Sequence, residues 1–238
     1  MQRSDITTAV LQLKALGIDD IVHFDFMSPP PVDAMLHALD LLYSLGALDA
    51  ACKLTSVGEK LAEMPVDPRL AKCLLQSLEM GCSEDIASIS AMCSVDFPFI
   101  QPRGVDLSAL NSASSGSSSS SSTTNDTSTA GGRLAIAKQR LLECLGLFTS
   151  ADGDHLTLLN IYRGFQSSGF SAPWCDSMCL QHRVMVRATE IRKQLMSLLK
   201  RYKEEGVELA TCADDTETLR RFVLSVLHAH LSLVFVSC

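Results

Sequence analysis

The chain has 238 residues, of which 47 % are hydrophobic and 20 % charged, a composition typical of a globular protein. Aromatic residues make up only 5 %, while leucine, alanine and methionine predominate, so helices are favoured over a β-sandwich. The formal net charge of −7 argues against a simple basic nucleic-acid coat, so any such contact must come from a local patch.

Nine cysteines are present, and none of them forms a Cys-x-x-Cys motif. Their odd number and their positions in apolar runs indicate reduced core thiols in a cytosolic or nuclear protein. Cys175 and Cys179 lie near His182, but no fourth ligand follows at zinc-binding spacing, so we expect no metal site. The first residues lack the apolar core of a signal peptide, and no apolar run is long enough to span a membrane.

Two helices flank a proline-rich connector near the start of the chain. Ser4 or Asp5 can cap the first helix, and Gly17 ends it. Three prolines at 29–31 can neither continue a helix nor join a central strand, so they predict an extended connector. The second helix ends at Gly46, and its apolar stripe consists of Met35, Leu36, Leu39, Leu42 and Tyr43.

A short extended segment at 53–55 leads into a third helix, which Thr55 or Ser56 can cap. Two helices and a short hairpin-like piece in fewer than eighty residues are the pattern of a winged-helix module, although many small helical domains share it. The pair Asp67-Pro68 predicts the start of a fourth helix that Gly81 ends, because proline suits the first helical position. Ser83 is predicted to cap a fifth helix. These stacked amphipathic helices indicate a helical bundle.

The composition changes abruptly to serine, threonine, asparagine and glycine at 108–132. So little apolar surface cannot offset the entropy lost on ordering, and we predict a disordered insertion, placed at 106–132. An inert lengthening of a surface loop explains such a segment, and a phosphorylated regulatory segment is the alternative. A helical pattern resumes at 134–148.

The stretch 153–162 predicts a helix that Asp154 can cap and that stops at Gly169. Its apolar positions are Leu158, Ile161, Tyr162 and Phe165. After a short turn, the periodicity predicts one long helix at 173–202, about 45 Å in length at about 1.5 Å per residue. A helix of that length crosses a whole domain and can line a channel. A closing helix is predicted at 216–233.

The long helix carries a local excess of positive charge. Seven basic residues lie at 183–203, opposed there only by Glu190. Contact with phosphates requires such an excess. The alternative is a solvated helix face on which Glu190 pairs with Arg187 or Lys193.

No catalytic machinery is visible in the sequence. It contains neither a Gly-x-x-x-x-Gly-Lys-[Ser/Thr] loop nor the string Asp-Glu-Ala-His. His155 fits a local hydrogen-bonding role, and His228 and His230 fit structural or surface roles. We therefore assign no catalytic residue, although Ser/His/Asp sets form in space rather than in sequence.

Several strings occur in an order that is specific for one family: residues 3–19, 24–31, 38–58, Asp67-Pro68, 153–162, Trp174-Cys175 and 186–195. Together they resemble the part of DEAH-box RNA helicases that follows the two RecA-like domains. The first and last strings are most similar to the spliceosome-associated branch. The resemblance covers most of the chain outside the Ser-rich insertion.

The resemblance implies a mostly α fold, in which a winged-helix module is followed by a helical bundle, the ratchet domain, with a disordered Ser-rich insertion. Residues 1–28 would be the exit segment from a missing RecA-like domain and 29–66 the winged helix. Residues 67–234 would form the helicase-associated ratchet domain, interrupted at 106–132.

The resemblance also implies a function. Full-length relatives would hydrolyse ATP with Mg²⁺ and move along RNA in the 3′ to 5′ direction, and the long helix would face the RNA channel through Arg183 and Arg187. The implied partners are single-stranded RNA, a glycine-rich-patch activator protein and spliceosome components. The implied compartment is the nucleus, with the cytoplasm as the alternative.

The departures from the family pattern limit what this chain does alone. Both RecA-like domains are missing, so we expect no ATP turnover and no cofactor in this chain. The family's oligonucleotide-binding barrel is also missing, and Met178 and Cys179 stand where an Asn and an aromatic residue are common. These features indicate a fragment, a truncated gene model or a degenerate copy. A helical protein-interaction module that has lost RNA binding is the second hypothesis, and an independent enzyme the third.

Overall fold

The computed structural model describes residues 6–21, 24–100, 130–202, 209, 211 and 219, with the backbone alone at 130–135. Within these residues the chain forms nine helices: α1 Thr7–Ala15, α2 Val32–Ser44, α3 Ser56–Ala62, α4 Pro68–Met80, α5 Ser83–Cys93, α6 Ala130–Phe148, α7 Asp154–Ser167, α8 Ala172–Ser177 and α9 His182–Tyr202. Extended pairing in the described residues is limited to two antiparallel bridges, Leu48 with Leu54 and Phe99 with Leu180. The predicted mostly α fold is confirmed.

Contacts divide the chain into two compact units. Unit one comprises Met1–Ser94 and Ala188–Cys238, and unit two comprises Val95–Arg187. Helices α1 to α5 belong to unit one, α6 to α8 belong to unit two, and α9 continues from unit two into unit one at Ala188. The predicted domain boundaries after residues 28 and 66 remain predictions, because a compact unit is not the same thing as a sequence domain.

Each unit has its own apolar core. In unit one, α1 packs against α2 and α3, and α4 packs against α3 and α5. The most deeply buried side chains there are Leu11, Leu42, Leu45, Leu61, Leu74 and Met92. In unit two, α6 packs against α7, and the most deeply buried side chains are Phe99, Leu141, Leu159, Tyr162 and Phe165. Each such side chain stabilises its unit by roughly 1.5–3 kcal/mol through burial.

Two predicted helix starts are confirmed atom by atom. The Thr55 hydroxyl accepts a hydrogen bond from the Gly58 amide at 3.0 Å, which satisfies a free donor of the first turn of α3. The Asp67 carboxylate accepts from the Arg69 amide at 2.9 Å, and Pro68 occupies the first position of α4.

The predicted glycine stops are also confirmed. Gly81 has φ 67° and follows α4, where the Cys82 amide donates to the Ser77 carbonyl at 3.3 Å. This closure needs a left-handed residue, which costs a side-chain-bearing residue about 1–2 kcal/mol and glycine little. Positive φ values are likewise found at the other predicted stops, Gly17, Gly46 and Gly169.

Two predicted caps are wrong. Helix α5 begins at Ser83 with Cys82 as its N-cap, and α7 begins at Asp154 with Gly153 as its N-cap. Neither helix has a side-chain capping bond, because the non-helical cap backbone falls one residue earlier than predicted. The Asp154 charge still suits the positive end of the α7 dipole.

Several predictions fall outside the described residues. They are the caps at Ser4 and Asp5, the histidines at 228 and 230, the closing helix at 216–233 and most of the Ser-rich stretch at 106–132. At the end of that stretch, α6 already begins at Ala130.

The predicted single helix at 173–202 is wrong, because it is broken into α8 and α9. Cys179 has φ 57°, a left-handed conformation that stops α8. The backbone beyond it pairs with another segment: the Ile100 amide donates to Cys179 at 2.8 Å, and the Gln181 amide donates to Pro98 at 2.7 Å. These bonds replace helical ones, so α9 begins only at His182.

Candidate nucleic-acid interface

Helix α9 is amphipathic, and this decides which of its basic residues are accessible. Met185 is buried in unit two, and Ala188, Leu195 and Leu199 are buried in unit one. These residues recur three, seven and four positions apart, as expected for one face of a helix. The basic side chains on the other faces are therefore the candidates for contact with a ligand.

Arg183 and Arg187 are both exposed in unit two. They are four residues apart, which places their side chains on one face, about 6 Å apart along the helix axis. Val186 beside them is also exposed. Among the described residues, neither guanidinium has an ion pair or a hydrogen-bonding partner. The N–H donors of both guanidinium groups are therefore available to an acceptor outside the chain.

The ion pair that the sequence allowed between Glu190 and a basic residue of this face is not formed among the described residues. Glu190 is exposed, and within the described part of the chain no salt bridge joins it to Arg187 or Lys193. A solvated basic face with no ligand remains the alternative interpretation of Arg183 and Arg187.

Two other basic residues of α9 have structural roles in unit one. Arg192 is 19 % exposed and donates from Nε to the Ser88 hydroxyl at 2.8 Å, and its terminal nitrogen lies 3.5 Å from a Glu84 carboxylate oxygen. Arg201 donates to Glu63 at 2.9 Å. The sequence did not distinguish these residues from Arg183 and Arg187, because their acidic partners lie more than a hundred positions away.

Aromatic packing in unit two fixes the segment that precedes Arg183. The Phe165 ring meets His182 edge to face, with centroids 5.9 Å apart, and also contacts Phe170 and Trp174. Trp174 approaches so closely because position 164 is glycine: a Cβ there would lie 3.1 Å from the indole. The start of α9 is thus held by a packed cluster rather than by a free loop.

The described residues offer no cluster of metal-ligating side chains. No group of three or more His, Cys, Asp or Glu side chains could hold a metal ion there. Burial raises the pKa of Cys175 to about 11, so this thiol is poorly suited to act as a nucleophile near neutral pH. Among the described helices, none is long and apolar enough to cross a membrane.

Comparison with known proteins identifies the architecture. The winged-helix part of the helicase associated domain (HA2) matches residues 38–66, and the ratchet-like part of the same domain matches residues 67–158. Over 204 residues the chain is 37 % identical to proteins named probable ATP-dependent RNA helicase DHX35, from Pongo abelii and from Homo sapiens. The match covers 85 % of this chain and 24 % of each relative.

The chain thus spans about a quarter of the length of the curated relatives that it matches. Arg183 and Arg187 lie beyond the residues matched by the ratchet-like domain, so their role stays a prediction. The two adjoining domain matches, the helical fold and the identity to the relatives agree with one another. The chain belongs to the helicase associated domain (HA2) family: it carries the winged-helix and ratchet-like parts of that domain, the region that it shares with DEAH-box RNA helicases.

Proposed function

We propose that this chain is an RNA-contacting accessory region of an ATP-dependent, 3′ to 5′ RNA helicase, and that Arg183 and Arg187 bind phosphates of single-stranded RNA. The observation that carries the proposal is the exposure of both guanidinium groups, four residues apart on α9, without a partner in the described residues. ATP and Mg²⁺ would act in the RecA-like motor, and no residue of this chain is assigned to them.

The chemistry of arginine supports this assignment. A guanidinium group presents a planar fork of donors that matches phosphate oxygens, and its charge shortens and strengthens the bond. Because both side chains are exposed, an incoming phosphate need not displace an internal carboxylate. The overall charge of −7 gives no general attraction for RNA, so binding depends on this local pair.

A double substitution tests the proposal. The full chain should bind a labelled single-stranded oligoribonucleotide at low salt, measured by fluorescence anisotropy. Arg183→Ala with Arg187→Ala should weaken binding about tenfold, since two exposed ion pairs contribute up to about 1 kcal/mol each.

The matched control is Arg69→Ala with Lys138→Ala, which removes the same charge from two exposed positions on α4 and α6. It should leave the affinity close to that of the unmodified chain. Equal losses in both double variants would show that net charge, and not the α9 pair, governs binding.

A second candidate function is protein docking through α2. Val32, Leu36 and Tyr43 are each more than half exposed, and their spacing of four and seven residues places them along one face. Such an apolar stripe suits a partner helix or an extended peptide. We propose a glycine-rich-patch activator as the occupant, in a pre-mRNA splicing complex in the nucleus, with the cytoplasm as the alternative compartment.

Docking and RNA binding can be separated experimentally. Leu36→Ser with Tyr43→Ser should abolish capture of a purified glycine-rich-patch protein and leave RNA affinity unchanged. Protein capture together with no RNA binding at low salt would favour an interaction module that has lost RNA binding. A fluorescently tagged chain, followed in cells, tests the nuclear assignment separately.

A further inference from the structure

Two cysteines of unit two lie face to face although they are far apart in sequence. Cys144 lies on α6 and Cys179 in the turn between α8 and α9, and their Sγ atoms are 3.7 Å apart across 35 positions of the chain. This is close to van der Waals contact, and a disulfide would require the two sulfurs to approach to about 2.05 Å.

The two thiols differ in accessibility. Cys144 is 6 % exposed, and its Sγ also lies 3.8 Å from the Ser177 carbonyl oxygen. Cys179 is partly exposed at the surface of the turn. A small oxidant would therefore reach Cys179 first, and Cys144 would be the protected partner that lies beside it.

The backbone at Cys179 has a conformation that is unfavourable for a residue with a side chain. Its φ of 57° is left-handed, where a residue with a side chain costs about 1–2 kcal/mol and glycine is the usual occupant. The side chain that occupies this position meets the Cys144 thiol. A glycine would give the same turn without the strain but could not make a contact between sulfurs.

We propose that Cys144 and Cys179 are a modification site, a dithiol that a hydroperoxide converts into an intramolecular disulfide. The peroxide oxidises Cys179 to a sulfenic acid and leaves as water or an alcohol. The Cys144 sulfur then attacks the sulfenic sulfur: the S–S bond forms, the S–O bond breaks, and hydroxide takes up the Cys144 proton to leave as water. Two thiols are oxidised and one peroxide is reduced.

A third thiol nearby, that of Cys175, does not compete with this pairing. Cys175 lies four positions before Cys179 but is fully buried, and burial raises its pKa to about 11. Burial also raises the pKa of Cys144, so that thiol is a poor first target, and it is its contact with Cys179 that suits it to the second step. The disulfide would tie α6 to the turn from which α9 starts. This inference does not depend on RNA binding.

The test uses the full reduced chain treated with hydrogen peroxide, alkylated and digested without reductant. Mass spectrometry should find a peptide that links Cys144 to Cys179 before any other cross-link accumulates. Separate alkylation of both cysteines, at peroxide concentrations that already oxidise other thiols, would overturn the proposal, and this measurement needs no variant.

Variants then locate the two steps. Cys144→Ser should stop the reaction at a sulfenic acid on Cys179, which dimedone traps. Cys179→Gly suits the left-handed backbone, so it should fold and give no cross-link to Cys144. Cys52→Ser, at an exposed position of unit one, should leave the cross-link unchanged. A cross-link from Cys144 to another cysteine in wild type would also contradict the pairing.

Discussion

The Nε atom of Arg192 lies 2.8 Å from the hydroxyl oxygen of Ser88 and joins the middle of α9 to α5. A second nitrogen of the same guanidinium group reaches Glu84 at 3.5 Å. An arginine that is mostly buried, and whose guanidinium group donates from two nitrogens to other side chains, stabilises unit one rather than binding a ligand. The basic residues of α9 therefore divide into structural ones, such as Arg192, and exposed ones, such as Arg187.

Arg192→Ala should lower the free energy of unfolding by about 1–3 kcal/mol, because it removes charge-assisted hydrogen bonds from a mostly buried site. Urea unfolding followed by circular dichroism measures this loss. The neighbouring exposed Lys193→Ala should change stability by no more than about 0.5 kcal/mol. Similar losses in the two variants would contradict a structural role that is particular to Arg192.

Gly58→Ala should destabilise unit one, although alanine normally favours a helix. A Cβ at position 58 would lie 2.2 Å from the carbonyl oxygen of Ala47 and 2.7 Å from a methyl carbon of Leu54. The backbone of the bridge between Leu48 and Leu54 would have to move, at a cost of about 1–3 kcal/mol.

Gly146→Ala is the matched control, because nothing lies within 4 Å of a Cβ at that position of α6. It should raise stability by about 0.5–1 kcal/mol, the ordinary gain for alanine in a helix. Thermal unfolding of both variants checks the opposite signs. A gain for Gly58→Ala would show that α3 does not pack against the bridge as described.

Gly164→Ala should change the environment of the only tryptophan in the chain. A Cβ at position 164 would lie 3.1 Å from Trp174 and 3.2 Å from Phe148, closer than ordinary contact. The indole must shift, so its fluorescence maximum should move towards longer wavelength as the ring meets more water. Gly146→Ala should leave the spectrum unchanged, and an unchanged spectrum for Gly164→Ala would rule out the close packing.

The thiol of Cys73 should make the free energy of unfolding of unit one decrease at alkaline pH. Burial raises the pKa of this thiol to about 12 from its ordinary value of 9.0, so the folded chain holds the proton more tightly than the unfolded chain. The stabilisation is fully present below pH 9.0 and is lost as the pH rises towards 12. Unfolding of the reduced chain across this range measures the loss.

Cys73→Ala should remove part of this alkaline decline, and the difference between its curve and the wild-type curve should lie in the same pH range. The exposed Cys52→Ala should keep the wild-type curve. A Cys73→Ala curve parallel to wild type at every pH would contradict the shift.

The sequence predicted those features that depend on neighbouring residues. Thr55 and Asp67 cap helices, and Gly81 and Gly169 end them, because each acts on backbone groups within one helical turn. It did not place the caps of α5 and α7, which fall on Cys82 and Gly153, since an N-cap is defined by backbone conformation and not only by residue type.

Features that depend on distant residues could not be predicted. The break before α9 arises where Cys179 and Gln181 pair with residues about eighty positions earlier, and no glycine or proline marks it. Likewise, only the fold reveals that Arg192 meets Glu84 while Arg183 does not meet an acid in the described residues. The family of the chain was predictable because its ordered motifs survive in the sequence.

The salt dependence of RNA binding tests the central claim most directly. If Arg183 and Arg187 each bind a phosphate, replacing both by alanine should make the slope of log K against log salt shallower by about 1.4, at about 0.7 per contact with a single strand. The control Arg69→Ala with Lys138→Ala should keep the wild-type slope. An unchanged slope in the Arg183 and Arg187 variant, or the same change in the control, would contradict the account.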